Sequence, residues 1–165
     1  MDIKRLMTHL LTTDRCVRRA FPPVVMAAIA EAIRAAELRF EGEVRFAVEG
    51  ALEPDDLFRA VTPRERALEV FSQLRVWDTQ YNNGVLIYVL LADHAVEIIA
   101  DRGIHAHEST ETWSAICRQL EAAFKRGEYE TGTIAAIEAV ARTLHRHFPA
   151  IGVQINELPD APALI

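Results

Sequence analysis

The chain has 165 residues, with 18 Lys+Arg against 24 Asp+Glu and a formal net charge of −6. Half its residues are apolar and a quarter are charged, which is the composition of one soluble globular domain and not of a disordered chain. The acidic balance argues against a nucleic-acid module, which needs a concentrated basic surface.

Residues 1–12 read as an amphipathic helix, with Ile3, Leu6, Met7, Leu10 and Leu11 at helical spacing. The stretch is too short and too interrupted for a secretory signal. A cytoplasmic location is therefore expected, peripheral to the membrane if this helix seats at a bilayer surface. The basic cluster Arg15, Arg18 and Arg19 has no interleaved aromatic residue and reads as a solvated helix end. Pro22 to Phe40 forms a helix that starts at proline and aligns Val25, Ile29, Ile33 and Ala36 on one face. In EVRFAVEG, Val44, Phe46 and Val48 alternate with charged or small residues, which predicts a strand, and Gly50 and Pro54 mark the loop after it. Thr62-Pro-Arg-Glu65 is a capping box, opening a helix striped by Ala67, Val70, Phe71 and Leu74 that runs to about Val76.

Asn82, Asn83 and Gly84 are turn residues before VLIYVLLA, a continuous apolar run of the kind covered on both faces. This run, Val85 to Ala92, is the longest in the chain and far from the ~20 residues a membrane span needs. Asp93 and His94 link it tightly to AVEIIA, so the two strands form an antiparallel hairpin. The 44–48 strand, the 62–76 helix and the 84–91 strand form a right-handed crossover between parallel strands. Two long helices follow, striped by Trp113, Ile116, Cys117, Leu120 and Phe124, then by Ile134, Ile137, Val140, Ala141, Leu144 and Phe148. Cys117 lies in that stripe as a small hydrophobe, and with Cys16 far away the two thiols make no disulfide scaffold. Residues 149–165 read as an extended tail, lying on the surface or reaching toward a neighbour. The expected fold is a single α/β domain: a three-layer αβα sandwich whose small mixed sheet has about four strands, one parallel crossover and one antiparallel hairpin.

The run RALEVFSQLRVWDTQYNNGVLIYVLLADHAVEIIADRGI, with Trp113, Phe124 and RGEY at 126–129, resembles the TPM domain family. The likeness extends from about Asp14 to Phe148 and is most specific between Phe71 and Ile104. An NELPD-like tail, here Asn156 to Asp160, is shared with a bacterial branch known only as TPM-domain or membrane-associated proteins. The resemblance implies an αβα sandwich around about four strands. Family members are linked to photosystem repair in the thylakoid lumen, to modulation of a neuronal receptor and, in bacteria, to membrane-tethered proteins. A plant member is associated with acid phosphatase activity and calcium. Many members carry a signal peptide and a membrane anchor, which are not expected here.

DRGIHAHE, Asp101 to Glu108, concentrates the candidate metal chemistry. His105 and His107, at i and i+2, would share a face on extended backbone, as zinc ligands on strands do, and Asp101 or Glu108 would add oxygen. The plain alternative is a polar loop whose carboxylates complement the N-terminus of the next helix. The resemblance implies an acidic, calcium-type oxygen site in this loop, and the histidines depart from it. Asp14 either caps a helix or joins Asp101 in an acidic pocket. Asp78, Asn82 and Asn83 are expected on the same rim as Asp101, because the hairpin brings both loops to one end. His145 and His147 read as a polar helix end. The P-loop, GxGxxG, GxSxG and HExxH patterns are absent. Two functions follow: a non-catalytic accessory or interaction domain docking through its first helix and tail, with a membrane protein as partner, or a metal-assisted phosphatase using the Asp101 rim with calcium or zinc.

Overall fold

The computed structural model of the protein describes residues 3–152 and 155–165. The first two residues of the expected N-terminal helix, and Val153 and Gln154 of the expected tail, lie outside them. In chain order the elements are α1 (Ile3–Leu11), α2 (Asp14–Ala20), α3 (Pro23–Glu37), β1 (Glu43–Glu49), α4 (Pro54–Phe58), α5 (Pro63–Gln73), β2 (Gly84–Leu90), β3 (Ala95–Ala100), α6 (Arg102–His105), α7 (Thr110–Lys125), α8 (Tyr129–His147) and β4 (Ala163–Leu164).

The sheet order is β3-β2-β1-β4. Strands β1 and β2 pair parallel from Glu43↔Gly84 to Glu49↔Leu90, and β2 pairs antiparallel with β3 from Val85↔Ala100 to Leu90↔Ala95. The expected crossover helix is α5. Both arms of its capping box form: Thr62 Oγ1 accepts from the Glu65 N–H at 3.2 Å, and Glu65 Oε2 accepts from the Thr62 N–H at 2.8 Å. The helix ends at Gln73, short of Val76, because Arg75 takes a φ of 52° outside the helical region.

Strand alternation sorts the interior into two layers. Val44, Phe46, Val48, Val85, Ile87, Val89, Val96 and Ile98 meet α2, α3, α7 and α8. On the opposite face Ala47, Leu86, Tyr88, Leu90 and Ile99 meet α4, α5 and Leu158 of the tail, with Leu6 of α1 packed at the margin. Each large apolar side chain fully buried in these layers contributes roughly 1.5–3 kcal/mol. The result is the three-layer sandwich.

β1 differs from its sequence pattern. Its charged positions, Glu43, Arg45 and Glu49, are as buried as its apolar ones. Glu49 accepts a bidentate pair from Arg66 of α5 (2.9 and 3.0 Å) and the Tyr88 hydroxyl at 2.6 Å. Glu43 accepts from the Glu157 N–H at 2.9 Å and the Leu158 N–H at 3.2 Å. Arg45 donates to Pro159 O and, at 2.9 Å, to Ala161 O. The tail is therefore held on the protein's own sheet, and Ala163 and Leu164 add β4 in parallel to Ala47 and Val48.

Candidate functional site

The rim at the start of β2 is built by two close backbone approaches and the side-chain bonds around them. Asp101 leaves β3 with its N–H donating to Gly84 O at 2.9 Å, then caps α6 through Oδ1, which accepts from the Arg102 N–H at 2.7 Å. Gly103 donates its N–H to Asn82 O at 3.0 Å, and a Cβ there would lie 2.5 Å from that same oxygen. Only glycine allows the 101–105 turn to sit this close to the 78–84 loop. Asn82 holds a φ of 53° and accepts on Oδ1 from Arg102 Nε at 3.1 Å and Nη2 at 3.0 Å. Asn83 is 1 % exposed and donates its N–H to Thr79 Oγ1 at 3.1 Å. Asp78 is exposed on the same loop.

Two oxygens on this rim are buried without a hydrogen-bond partner among the described residues, Asn83 Oδ1 and Asp101 Oδ2. Native structures rarely leave such atoms unmatched. Asn83 also lines an open groove of about 440 Å³ whose walls carry Glu37, Glu41, Glu43, Glu157 and Arg34. Burial pushes the Glu37 carboxyl up to about 8, against the opposing pull of the Val44 N–H, which it accepts at 2.8 Å. Burial also raises Glu43, although the Glu157 and Leu158 amides pull it down. Sequence reading did not single out this acidic wall, because its members come from α3, the loop after it, β1 and the tail.

The other sequence candidates are scattered. The DRGIHAHE segment is helical at 102–105, so His105 and His107 do not share an extended face. His105 is exposed at the end of α6. His107 instead stacks on His147 with ring centroids 5.9 Å apart and meets Phe148 edge-on at 5.7 Å. Glu108 turns the same way, accepting Thr112 Oγ1 at 2.6 Å and lying 3.1 Å from His147 Nε2. The Thr112 hydroxyl, with the Ser109 amide and His147, holds this carboxyl below its ordinary range. Asp14 lies in the first turn of α2, beside Gly50 at the far end of β1 from Asp101, so the two do not form one pocket. Thr13 occupies the cap position of α2, but its side chain makes no capping bond to the helix backbone and meets Cys16 Sγ at 3.9 Å instead. Among the described residues no three His, Cys, Asp or Glu side chains converge as a metal would require.

A family model for the TPM domain matches residues 19–143. The chain belongs to the TPM domain family. The solved NMR structure of the BA42 protein, from the psychrophilic bacterium Bizionia argentinensis, is similar at 32 % identity and a TM-score of 0.75. That likeness spans 86 % of this chain and 92 % of BA42. A comparison with curated proteins gives no match.

α1 precedes the matched TPM domain and is mounted inside out. Its inward side is polar: Arg5 grips Asp93 through Nε at 3.0 Å and Nη2 at 2.7 Å, and also donates to Val61 O at 2.8 Å. His9, 3 % exposed, accepts the Leu52 N–H on Nδ1 at 2.9 Å. That bond leaves the ring proton on Nε2, which faces Asp93 Oδ1 at 2.9 Å. Burial raises the Asp93 carboxyl, but the Arg5 and His9 hydrogen bonds more than offset it, so it titrates below its ordinary range. The outward side carries Ile3, Met7, Leu10 and Leu11, exposed by 72, 50, 60 and 70 %. Sequence reading saw Asp93 only as a turn residue; its partners lie 84 and 88 positions away. No helix among the described residues is long and apolar enough to cross a membrane.

Proposed function

We propose that this TPM domain is a non-catalytic accessory domain that docks onto a partner, with α1 as the docking element and a membrane protein as the kind of component it serves. The observation that carries this reading is the inverted mounting of α1. A short helix on a soluble domain ordinarily turns its apolar stripe to the core. Here the core side is a salt-bridged polar latch with only Leu6 beside it, and the other apolar residues face outward, an arrangement that gains free energy only when something covers them.

Metal-assisted phosphomonoester hydrolysis at the rim is the second reading, favoured by the two orphaned oxygens and by the phosphatase label of the matched family model. Asn83 Oδ1 and Asp101 Oδ2 are hard donors of the type that calcium takes, whereas the parted histidines do not fit a zinc set. A bound cation would supply Lewis-acid polarisation of a phosphoryl oxygen.

One experiment separates the readings. The purified chain is incubated with a generic phosphomonoester, with and without calcium, beside the Asp101→Asn variant. The docking reading expects no turnover above that variant. Calcium-dependent turnover lost in Asp101→Asn would overturn it in favour of hydrolysis.

A further inference from the structure

We infer that the outward stripe of α1 and the arginine face of α2 together form a landing surface for an anionic lipid bilayer. This rests on the docking role of α1 and names what α1 docks on.

The apolar half of the surface is Ile3, Met7, Leu10 and Leu11, at i, i+4, i+7 and i+8 along one side of α1. The basic half follows immediately. α2 begins three residues after α1 ends, and Arg15, Arg18 and Arg19 stand at i, i+3 and i+4, all exposed. Lys4 is exposed on α1 as well. This concentration of cations occurs in a chain whose formal net charge is −6. An exposed apolar stripe flanked by arginine and lysine is the composition of an interfacial helix, whose side chains enter the acyl boundary while its cations meet lipid phosphates.

Area decides against a second copy as the occupant. α1 has nine residues, so it is about 13.5 Å long. Two such faces bury on the order of 300 Å² per copy, against the ~800 Å² per partner of a stable protein interface. A bilayer imposes no such area threshold, because it accepts each apolar side chain separately, and its anionic headgroups complement the cations.

The latch gives the surface rigidity. With Arg5 and His9 pinned to Asp93, Leu52 and Val61, α1 is presented already folded, so no helix-ordering penalty falls on binding.

The test is co-sedimentation of the full chain with vesicles of phosphatidylcholine alone and of phosphatidylcholine mixed with phosphatidylglycerol. Binding is expected to the anionic vesicles and to weaken with added salt. Each arginine near an anionic surface is worth about a fivefold gain in partition, so the triple variant Arg15→Ala, Arg18→Ala, Arg19→Ala should bind roughly 100-fold more weakly. The double variant Leu10→Ser, Leu11→Ser should also lose binding, with its circular dichroism unchanged because both residues are exposed. Failure of the native chain to sediment with anionic vesicles overturns the lipid assignment, as does undiminished binding by either variant. A concentration-dependent dimer abolished by the leucine variant, without vesicle binding, would reassign the stripe to a second copy: the lipid assignment falls and the docking role of α1 stands. Phosphomonoester turnover lost in Asp101→Asn bears on the non-catalytic reading alone, so the two failures are distinguishable.

Discussion

Replacing Asp93 by alanine removes the acceptor at the centre of the α1 latch, and the structure sets the size of the effect. The His9 side chain is 1 % exposed and would keep its Leu52 bond but lose the acceptor for Nε2–H, at a cost of about 1–3 kcal/mol. Arg5 is 25 % exposed and keeps its bond to Val61 O, so loss of its bidentate pair adds only about 1 kcal/mol. The sum, about 2–4 kcal/mol, corresponds to a roughly 30- to 700-fold larger population with α1 detached. The effect should be local, because Leu6 is the one apolar side chain of α1 packed on the second core layer. Native-state hydrogen exchange measures it directly: the amides of α1 and of Leu52 lose protection, while those of β1 and β2 keep theirs. Acid should act on the native protein in the same direction. With a folded value below the ordinary carboxylate one, Asp93 contributes in full above its unfolded pKa of about 3.9 and loses that contribution as pH falls through the lower folded value. Unchanged protection of α1 in Asp93→Ala would refute the latch.

Two further outcomes concern the interior. Tyr88→Phe removes a hydroxyl that donates to the buried Glu49 carboxylate at 2.6 Å, so the urea midpoint should fall by the equivalent of about 1.5–3 kcal/mol at constant m-value; an unchanged midpoint would contradict the network. Glu37 works in the opposite sense to Asp93: its carboxyl titrates at about 8 when folded against an ordinary 4.5, so the folded state holds the extra proton between these values. Stability should therefore fall as pH rises from about 4.5 to about 8, and Glu37→Gln should flatten that decline in thermal unfolding scans, whereas an identical slope in the variant would remove Glu37 as its source.

The hairpin, the parallel crossover and the α5 cap were legible in the sequence because each is decided by residues close together: Asp93-His94, Thr62 to Glu65, and the apolar run after Gly84. α1 was legible as an amphipathic helix, but the polar latch that turns its apolar stripe outward was not, because its partners lie 84 and 88 positions away. β1 was legible as a strand, yet alternation suggested a wet face where Glu43, Arg45 and Glu49 are buried against the tail and α5. β4 has two residues and no periodicity to read. The rim was half legible: the hairpin put Asp101 beside Asn82 and Asn83, and the structure keeps them together. The histidine pair failed as a unit because the Asp101 cap and the close approach at Gly103 coil the backbone, sending His107 to a partner forty residues on.

The tail's bonds to Glu43 and Arg45 span 114 to 116 residues, which gives synthesis a particular timetable. At ~5–20 residues per second, roughly 6–23 s separate the emergence of β1 from that of the segment that covers it. During that interval an ionisable strand edge has neither its backbone partner, nor the amide donors of Glu43, nor the carbonyl acceptors of Arg45, the condition under which a nascent sheet recruits other chains. Expression of the matched 19–143 region alone would make that interval permanent. Any recombinant boundary for this protein therefore belongs after Leu164, and a nonsense change a few codons earlier would act as a folding lesion although it lies outside the family signature.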